Sequence, residues 1–227
     1  MIIYRCSAIM LMLLAGGAPA QAQTARNLTL RMAAKAAIGA LQVKHRNVPN
    51  PGETTVIKAD RLLELPFGPT LITTVTIEGT SHAELGSLGI YYLEHRGSGF
   101  ILKKSWPNAI DGNGFGYPPS WMVSTRLTQS PAVVANAGWT GQGCTSNWSI
   151  LAELTPTGPV VSKPIYTSYR YDHMGEGKPD EFDGRIANIR KARSFEVVVN
   201  GTGHFAEHYV FRRGQFVRIE KESRLRC

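Results

Sequence analysis

Over much of the chain the apolar residues follow a strand-like period of two, and one segment near the N-terminus follows a helical period instead. Between Leu28 and Leu41, the residues Leu30, Ala33, Ala37, Ile38 and Leu41 recur at helical spacing on an alanine-rich background. That pattern predicts one short helix, although Gly39 interrupts it. Residues 45–53 carry two prolines and two asparagines and read as a loop. Beyond them the period is two, and β-branched and aromatic residues dominate. Strands are predicted over 71–77, 90–93, 100–103, 132–135, 149–154, 195–199, 206–211 and 215–220. Hairpin turns fall at 95–99 and around Arg212, Arg213 and Gly214.

The expected fold class is therefore mainly β. Antiparallel meanders and hairpins would form a sandwich or a propeller-like stack of sheets, with one short helix near the N-terminus. Glycine turns at Gly79, Gly138 and Gly201 each precede a strand, a second turn and another strand. Their similar spacing suggests three meanders of like length.

One region resists the alternating pattern. Residues 105–148 include WPNAIDGNGFGYPPSW and AGWTGQGC, rich in glycine, proline and aromatic side chains. Pro118 and Pro119 cannot sit in a central strand, so a long ordered loop is expected here. Trp106, Tyr117, Trp121, Trp139 and Trp148 punctuate it. Exposed together, they would stack on sugar rings or anchor a protein partner. Buried, they would fill the core beneath the loop.

The N-terminus supplies an address. Arg5 precedes an apolar run from Ala8 to Ala18, and Ala20-Gln21-Ala22 offers small residues at both positions a signal peptidase reads. This predicts a signal peptide over 1–22 and one mostly-β domain over 23–227, in the periplasm or secreted. No later apolar run is long enough to span a bilayer. No cysteine follows the signal run, so a bacterial lipid anchor is not expected. The expected mature chain keeps Cys144 and Cys227, which in an oxidising compartment most simply form one disulfide. Two free thiols, or a bridge to a second chain, are the alternatives.

Charge sharpens the question of partners. The formal net charge is +8, and residues 185–227 hold ten Lys/Arg against four acids. Arg212, Arg213 and Arg218 belong to this basic segment. Strand alternation would put Arg218 and Glu220 on a solvent face and Val217 and Ile219 on the other. Such a face attracts an envelope glycan, a lipid headgroup or an acidic protein. Nucleic acid is a poor partner for an exported chain with no recognisable nucleic-acid motif.

Candidate chemistry is sparse. Asp172, Glu176, Asp180, Glu181 and Asp183 cluster among glycines. Hard oxygen ligands in a glycine-rich loop suit Ca2+, with Asp172, Glu176 and Asp180 as candidate ligands. The spacing departs from the twelve-residue calcium loop, and a solvated acidic loop is the competing reading. Asp111 and Asn113 have calcium-loop spacing too, but Phe115 stands where a third ligand is wanted. His204 and His208 have the spacing of a helical zinc pair. In a strand they would stand roughly 13 Å apart, too far to share an ion. No G-x-S-x-G, nor a serine three residues before a lysine, occurs in a usable context. The sequence thus favours a non-catalytic binding protein acting through the aromatic loop and the basic C-terminal face. A hydrolase using the 172–183 carboxylates is the second reading, and a structural envelope protein without a discrete ligand is the third.

Overall fold

A computed structural model describes residues 18–45, 52–173, 177–212 and 214–227, the side chains of 18–22 and 24 excepted. One helix, α1 (Ala18–Ile38), precedes the strands. These are β1 (Gln42–His45), β2 (Thr54–Leu65), β3 (Gly68–Glu78), β4 (Ser87–Arg96) and β5 (Gly99–Asp111). They continue as β6 (Ser120–Ser124), β7 (Ala132–Gly141), β8 (Cys144–Thr155), β9 (Gly158–Val161) and β10 (Ile165–Tyr171). The last four are β11 (Asp180–Arg190), β12 (Ser194–Gly201), β13 (Phe205–Arg212) and β14 (Gln215–Arg218).

The strands form two antiparallel sheets. The first has the order β1-β2-β3-β4-β5, and the second runs β14-β13-β12-β11-β10-β8-β7-β6. The short β9 pairs with the far end of β8. The larger sheet curls into a half-barrel. Three meanders are present, β3-β4-β5, β7-β8-β9 and β12-β13-β14, but as stretches of continuous sheets and not as separate blades. Gly138 lies inside β7, and the turn after it is at 142–143.

Three apolar layers follow from residue parity. Leu88, Ile90 and Tyr92 of β4 pack against Val133 and Ala135 of β7 and Ile150, Ala152 and Leu154 of β8. The opposite face of β4, with Tyr91 and Leu93, meets Ala33 and Ala34 of α1. β4 is therefore apolar on both faces, as a strand covered on both sides must be. Likewise Val134 and Leu151 turn away from the first core toward Phe195, Val197, Val199, Tyr209 and Phe216, inside the curl. No described helix is long and apolar enough to cross a membrane.

Three expectations need correction or extension. The helix begins at Ala18, ten residues before the predicted start at Leu28, and ends at Ile38. Gly39 is its stop signal: at φ +85° it adopts the left-handed conformation, and its N–H bonds the Lys35 carbonyl at 3.1 Å. The junction expected between Ala22 and Gln23 thus falls within α1, while the packed residues begin at Leu30. Residues 1–17 lie outside the described residues.

The long loop expected over 105–148 is mostly strand. β5 continues through Trp106 to Asp111, because the ladder with β4 skips between Leu88–Ile110 and Ile90–Trp106. Pro107 occupies that bulge, on an edge strand, where its missing N–H costs no ladder bond. True loops remain only at 112–119 and 125–131.

The third concerns the basic strand. Val217 and Ile219 are 45% and 61% exposed, whereas Phe216 and Arg218 point into the curl. The predicted facing is reversed. The Phe216 ring lies tilted against Phe195, with centroids 4.7 Å apart, and that large ring takes the interior position.

The sulfurs of Cys144 and Cys227 are bonded within the chain, with Cα atoms 6.0 Å apart. The bond pins the C-terminal segment across the curled sheet. Leu225 is fully buried there, and Ser146 donates its hydroxyl to the Leu225 carbonyl at 2.7 Å. Glu207 of β13, also buried, accepts from the Ser223 hydroxyl at 2.8 Å and the Arg224 N–H at 2.9 Å. Arg218 approaches the same carboxylate at 3.7 Å and donates its Nε–H to the Glu220 carbonyl at 3.1 Å.

Candidate functional site

The most exposed aromatic side chains gather at one end of the molecule, where the 112–119 loop is sewn onto the 79–86 loop. Gly112 donates to the Gly86 carbonyl at 2.7 Å, and Gly116 donates to the Glu84 carbonyl at 2.9 Å. Ile77, at the end of β3, donates to the Gly116 carbonyl at 3.0 Å. The Asn113 side chain accepts from the Gly138 N–H at 2.9 Å, tying the loop to β7 one residue before Trp139. Gly116 has no tolerated replacement: its φ is +71°, and a Cβ would overlap the Ile77 carbonyl oxygen.

This frame displays Phe115 and Tyr117, which are 61% and 60% exposed, with Trp139 at 46%. Phe115 has φ +57°, a left-handed conformation that costs a bulky side chain about 1–3 kcal/mol. The flanking loop contacts hold it there, and its ring points outward, 6.2 Å from His82. Phe115 thus joins an exposed ring to a backbone held by the loop's own hydrogen bonds.

The predicted aromatic residues divide. Tyr117 and Trp139 are on this surface. Trp106 packs edge-on to Tyr92 at 5.0 Å and covers Gly158, so it belongs to the core. Trp121 also packs on that core and donates its indole N–H to Asp60 at 2.8 Å, with Arg61 over its ring at 5.0 Å. Trp148 sits edge-on to Tyr166. Phe115 was not among the aromatic residues predicted for such a surface, yet it is exposed beside Tyr117. Its signal is the surrounding G-x-G-x-G run, which gives an aromatic ring no neighbour to bury it.

The basic candidates also separate. Arg212 is exposed, Arg218 is turned inward on Glu207, and Arg213 lies outside the described residues.

The acidic segment is a hairpin joining β10 and β11. Asp180 faces His173 at 3.1 Å, Glu181 faces Arg170 at 3.7 Å, and Asp172 is exposed. Glu176 lies outside the described residues. Among the described residues no three His, Cys, Asp or Glu groups are placed to hold a metal ion. Asp180 and Glu181 are strand neighbours, so their carboxylates leave opposite faces and do not converge as an acid–base pair. The Asp172 N–H bonds the Gly143 carbonyl at 3.0 Å, which sets this hairpin beside the turn that follows Trp139.

On the outer face of the curl, His204 and His208 have separate partners. His204 meets Asn200 at 2.9 Å. His208 lines a depression of about 650 Å³, with Nδ1 2.7 Å from Glu220 and Nε2 3.8 Å from Glu196. Both ring nitrogens thus face carboxylates, and the arrangement holds a charge without activating a hydroxyl. The hydrogen bond to Glu220 lifts the His208 pKa above its ordinary value; desolvation opposes this, and the charges of Glu220 and Glu196 add to it. Burial pushes Glu220 upward, but the His208 ring and backbone N–H bonds outweigh it and lower its pKa.

A raised imidazole stabilises the fold fully below about pH 6.5 and loses that contribution as pH rises through the elevated value. Wild type should therefore lose more melting temperature than His208→Gln between about pH 5 and pH 9. Parallel curves for the two proteins would remove this linkage.

Comparisons with protein-family models, with curated proteins and with solved structures find no match.

Proposed function

We propose that this is an exported protein, periplasmic or secreted, that acts by non-catalytic recognition of an envelope component or a protein partner. Its contact surface is the end bearing Phe115, Tyr117 and Trp139, with the basic C-terminal segment around Arg212 adding long-range attraction to an anionic partner. The signal-like N-terminus supports export, and the Cys144–Cys227 disulfide is compatible with an oxidising compartment. The observation that carries the reading is Phe115, held exposed in a left-handed conformation by a hydrogen-bonded loop frame. Rigid rings bind with little entropic cost, which suits the flat face of a sugar or an apolar pocket on a protein.

Affinity capture from envelope extract tests this, in low and in moderate salt. Wild type should retain a partner that Phe115→Ser/Tyr117→Ser/Trp139→Ser loses by about thirtyfold or more, since a central aromatic anchor contributes about 2 kcal/mol. The melting temperature of that variant should stay unchanged, because none of the three rings is buried. Equal capture by both proteins would overturn the reading.

A further inference from the structure

The curl of the larger sheet gathers, at one end, cations that the sequence holds far apart. Four segments meet there: the 125–131 loop, the 162–164 link between β9 and β10, the β11–β12 turn and the β13–β14 turn. The Ala192 N–H bonds the Leu127 carbonyl at 2.8 Å, and the Phe211 N–H bonds the Arg193 carbonyl at 2.7 Å. Gln215 donates its side-chain N–H to the Val161 carbonyl at 3.4 Å, and Ser162 lines one small pocket with Gly214 and Gln215. These contacts place Arg126, Lys163, Lys191, Arg193 and Arg212 along one seam, and all five are exposed.

The seam carries no compensating charge. Its four segments contain no acid. Glu153, which reaches the 125–131 loop, is buried and accepts the Ser130 N–H at 2.7 Å. Glu196, two residues into β12, accepts from the Asn188 side chain at 2.6 Å and faces His208 on the outer face. Arg190 lines the depression on that face and is not counted here. Among the described residues none of the five has an ion-pair partner, whereas Arg170 and Arg218 each face a carboxylate. The opposite end of the curled sheet is mixed, with Asp172, Asp180 and Glu181 among Arg170, Lys178 and Arg226.

Shape narrows the partner. The pocket at the seam has a volume of about 10 Å³, room for one water and not for a phosphate or carboxylate group. Among the described residues, none of the exposed large apolar side chains belongs to the four segments. Cations spread over a surface, with neither a cavity nor an apolar wedge, are complementary to an extended layer of negative charge.

We propose that this end of the half-barrel adsorbs to the headgroups of an anionic bilayer. Lipid phosphates meet the five cations, and no side chain inserts among the acyl chains. This gives a partner to the attraction around Arg212 proposed above and rests on that reading. The aromatic surface takes no part: Trp139 stands seven positions along β7 from Ala132, about 23 Å at the rise of a strand. Adsorption by the basic end therefore leaves Trp139 and its neighbours at the far end.

Co-sedimentation of the full chain with vesicles tests this. Vesicles of three parts phosphatidylcholine to one part phosphatidylglycerol are compared with phosphatidylcholine alone. Wild type should bind the anionic vesicles more tightly by about tenfold or more, and the difference should vanish as salt rises from about 50 mM to about 500 mM. Each Lys or Arg near such a surface strengthens binding by about fivefold. Lys191→Glu/Arg193→Glu should thus weaken it by about twentyfold or more at an unchanged melting temperature. Lys178→Glu/Arg226→Glu removes the same charge at the opposite end and should stay within about threefold of wild type. Phe115→Ser/Tyr117→Ser/Trp139→Ser should bind vesicles as wild type does while losing its captured partner, so the two readings fail separately. Equal binding to neutral vesicles, equal losses in the two charge variants, or wild-type binding by Lys191→Glu/Arg193→Glu would each overturn the proposal. Retention on immobilised polyglutamate without vesicle adsorption would assign the face to an acidic protein and equally reject the bilayer.

Discussion

Replacing Cys227 by serine should lower the unfolding free energy by about 4–5 kcal/mol, the loop-closure contribution expected for a cross-link of this span. The bond joins positions 83 apart in sequence. In the folded state the cross-link does more than restrain the unfolded chain. It anchors the end of a strap whose Leu225 is fully buried against the Phe195 and Tyr209 cluster. Denaturant titration of wild type under oxidising and reducing conditions should reproduce the loss seen in Cys227→Ser. A loss below about 1 kcal/mol would mean that buried contacts alone hold the strap and the cross-link adds little.

The strands were legible because their information is local. Short runs of apolar, β-branched residues mark β7 and β12 without reference to any partner, and the 95–99 turn announces the β4–β5 hairpin. The disulfide was legible by elimination, since two cysteines and an expected oxidising compartment leave few pairings. What failed was information held by distant partners. Val217 and Ile219 look like an interior pair. They are outside because Phe216 completes the aromatic cluster and Arg218 meets the buried Glu207, a residue eleven positions earlier. Strand parity is binary, so one such partner reverses the whole strand.

The candidate site divides along the same line. Tyr117 and Trp139 were named from composition and are exposed. Trp106 and Trp121 were named on identical grounds, yet both are partly buried against the first core, Trp106 over Gly158 and Trp121 bonded to Asp60. Phe115 counted only as a missing calcium ligand, although its flanking glycines, Gly114 and Gly116, leave the ring without local cover.

Glu207→Ala should be nearly as destabilising as loss of the cross-link, at about 3–5 kcal/mol, because it strips a buried ion pair of one partner. The carboxylate satisfies the Ser223 hydroxyl, the Arg224 N–H and, at 3.4 Å, the Tyr209 hydroxyl. Burial, with the nearby Glu207 charge adding, pushes the Tyr209 phenol up to about 12, so it stays protonated and remains a donor. Removing the acceptor strands these donors and leaves Arg218, only 19% exposed, without its counter-charge. Glu207→Gln keeps a carbonyl for Ser223 and Arg224 but puts an NH2 group where the oxygen facing Tyr209 and Arg218 stood, so its cost should be smaller, about 1–3 kcal/mol. The decisive comparison is the double variant with Cys227→Ser. Glu207 and the cross-link restrain the same nine residues after β14, so once one restraint is gone the other has less ordered chain to hold. The combined loss should therefore fall short of the sum by more than about 0.5 kcal/mol. A strictly additive result would show two independent fastenings, and the strap would then be no single cooperative unit.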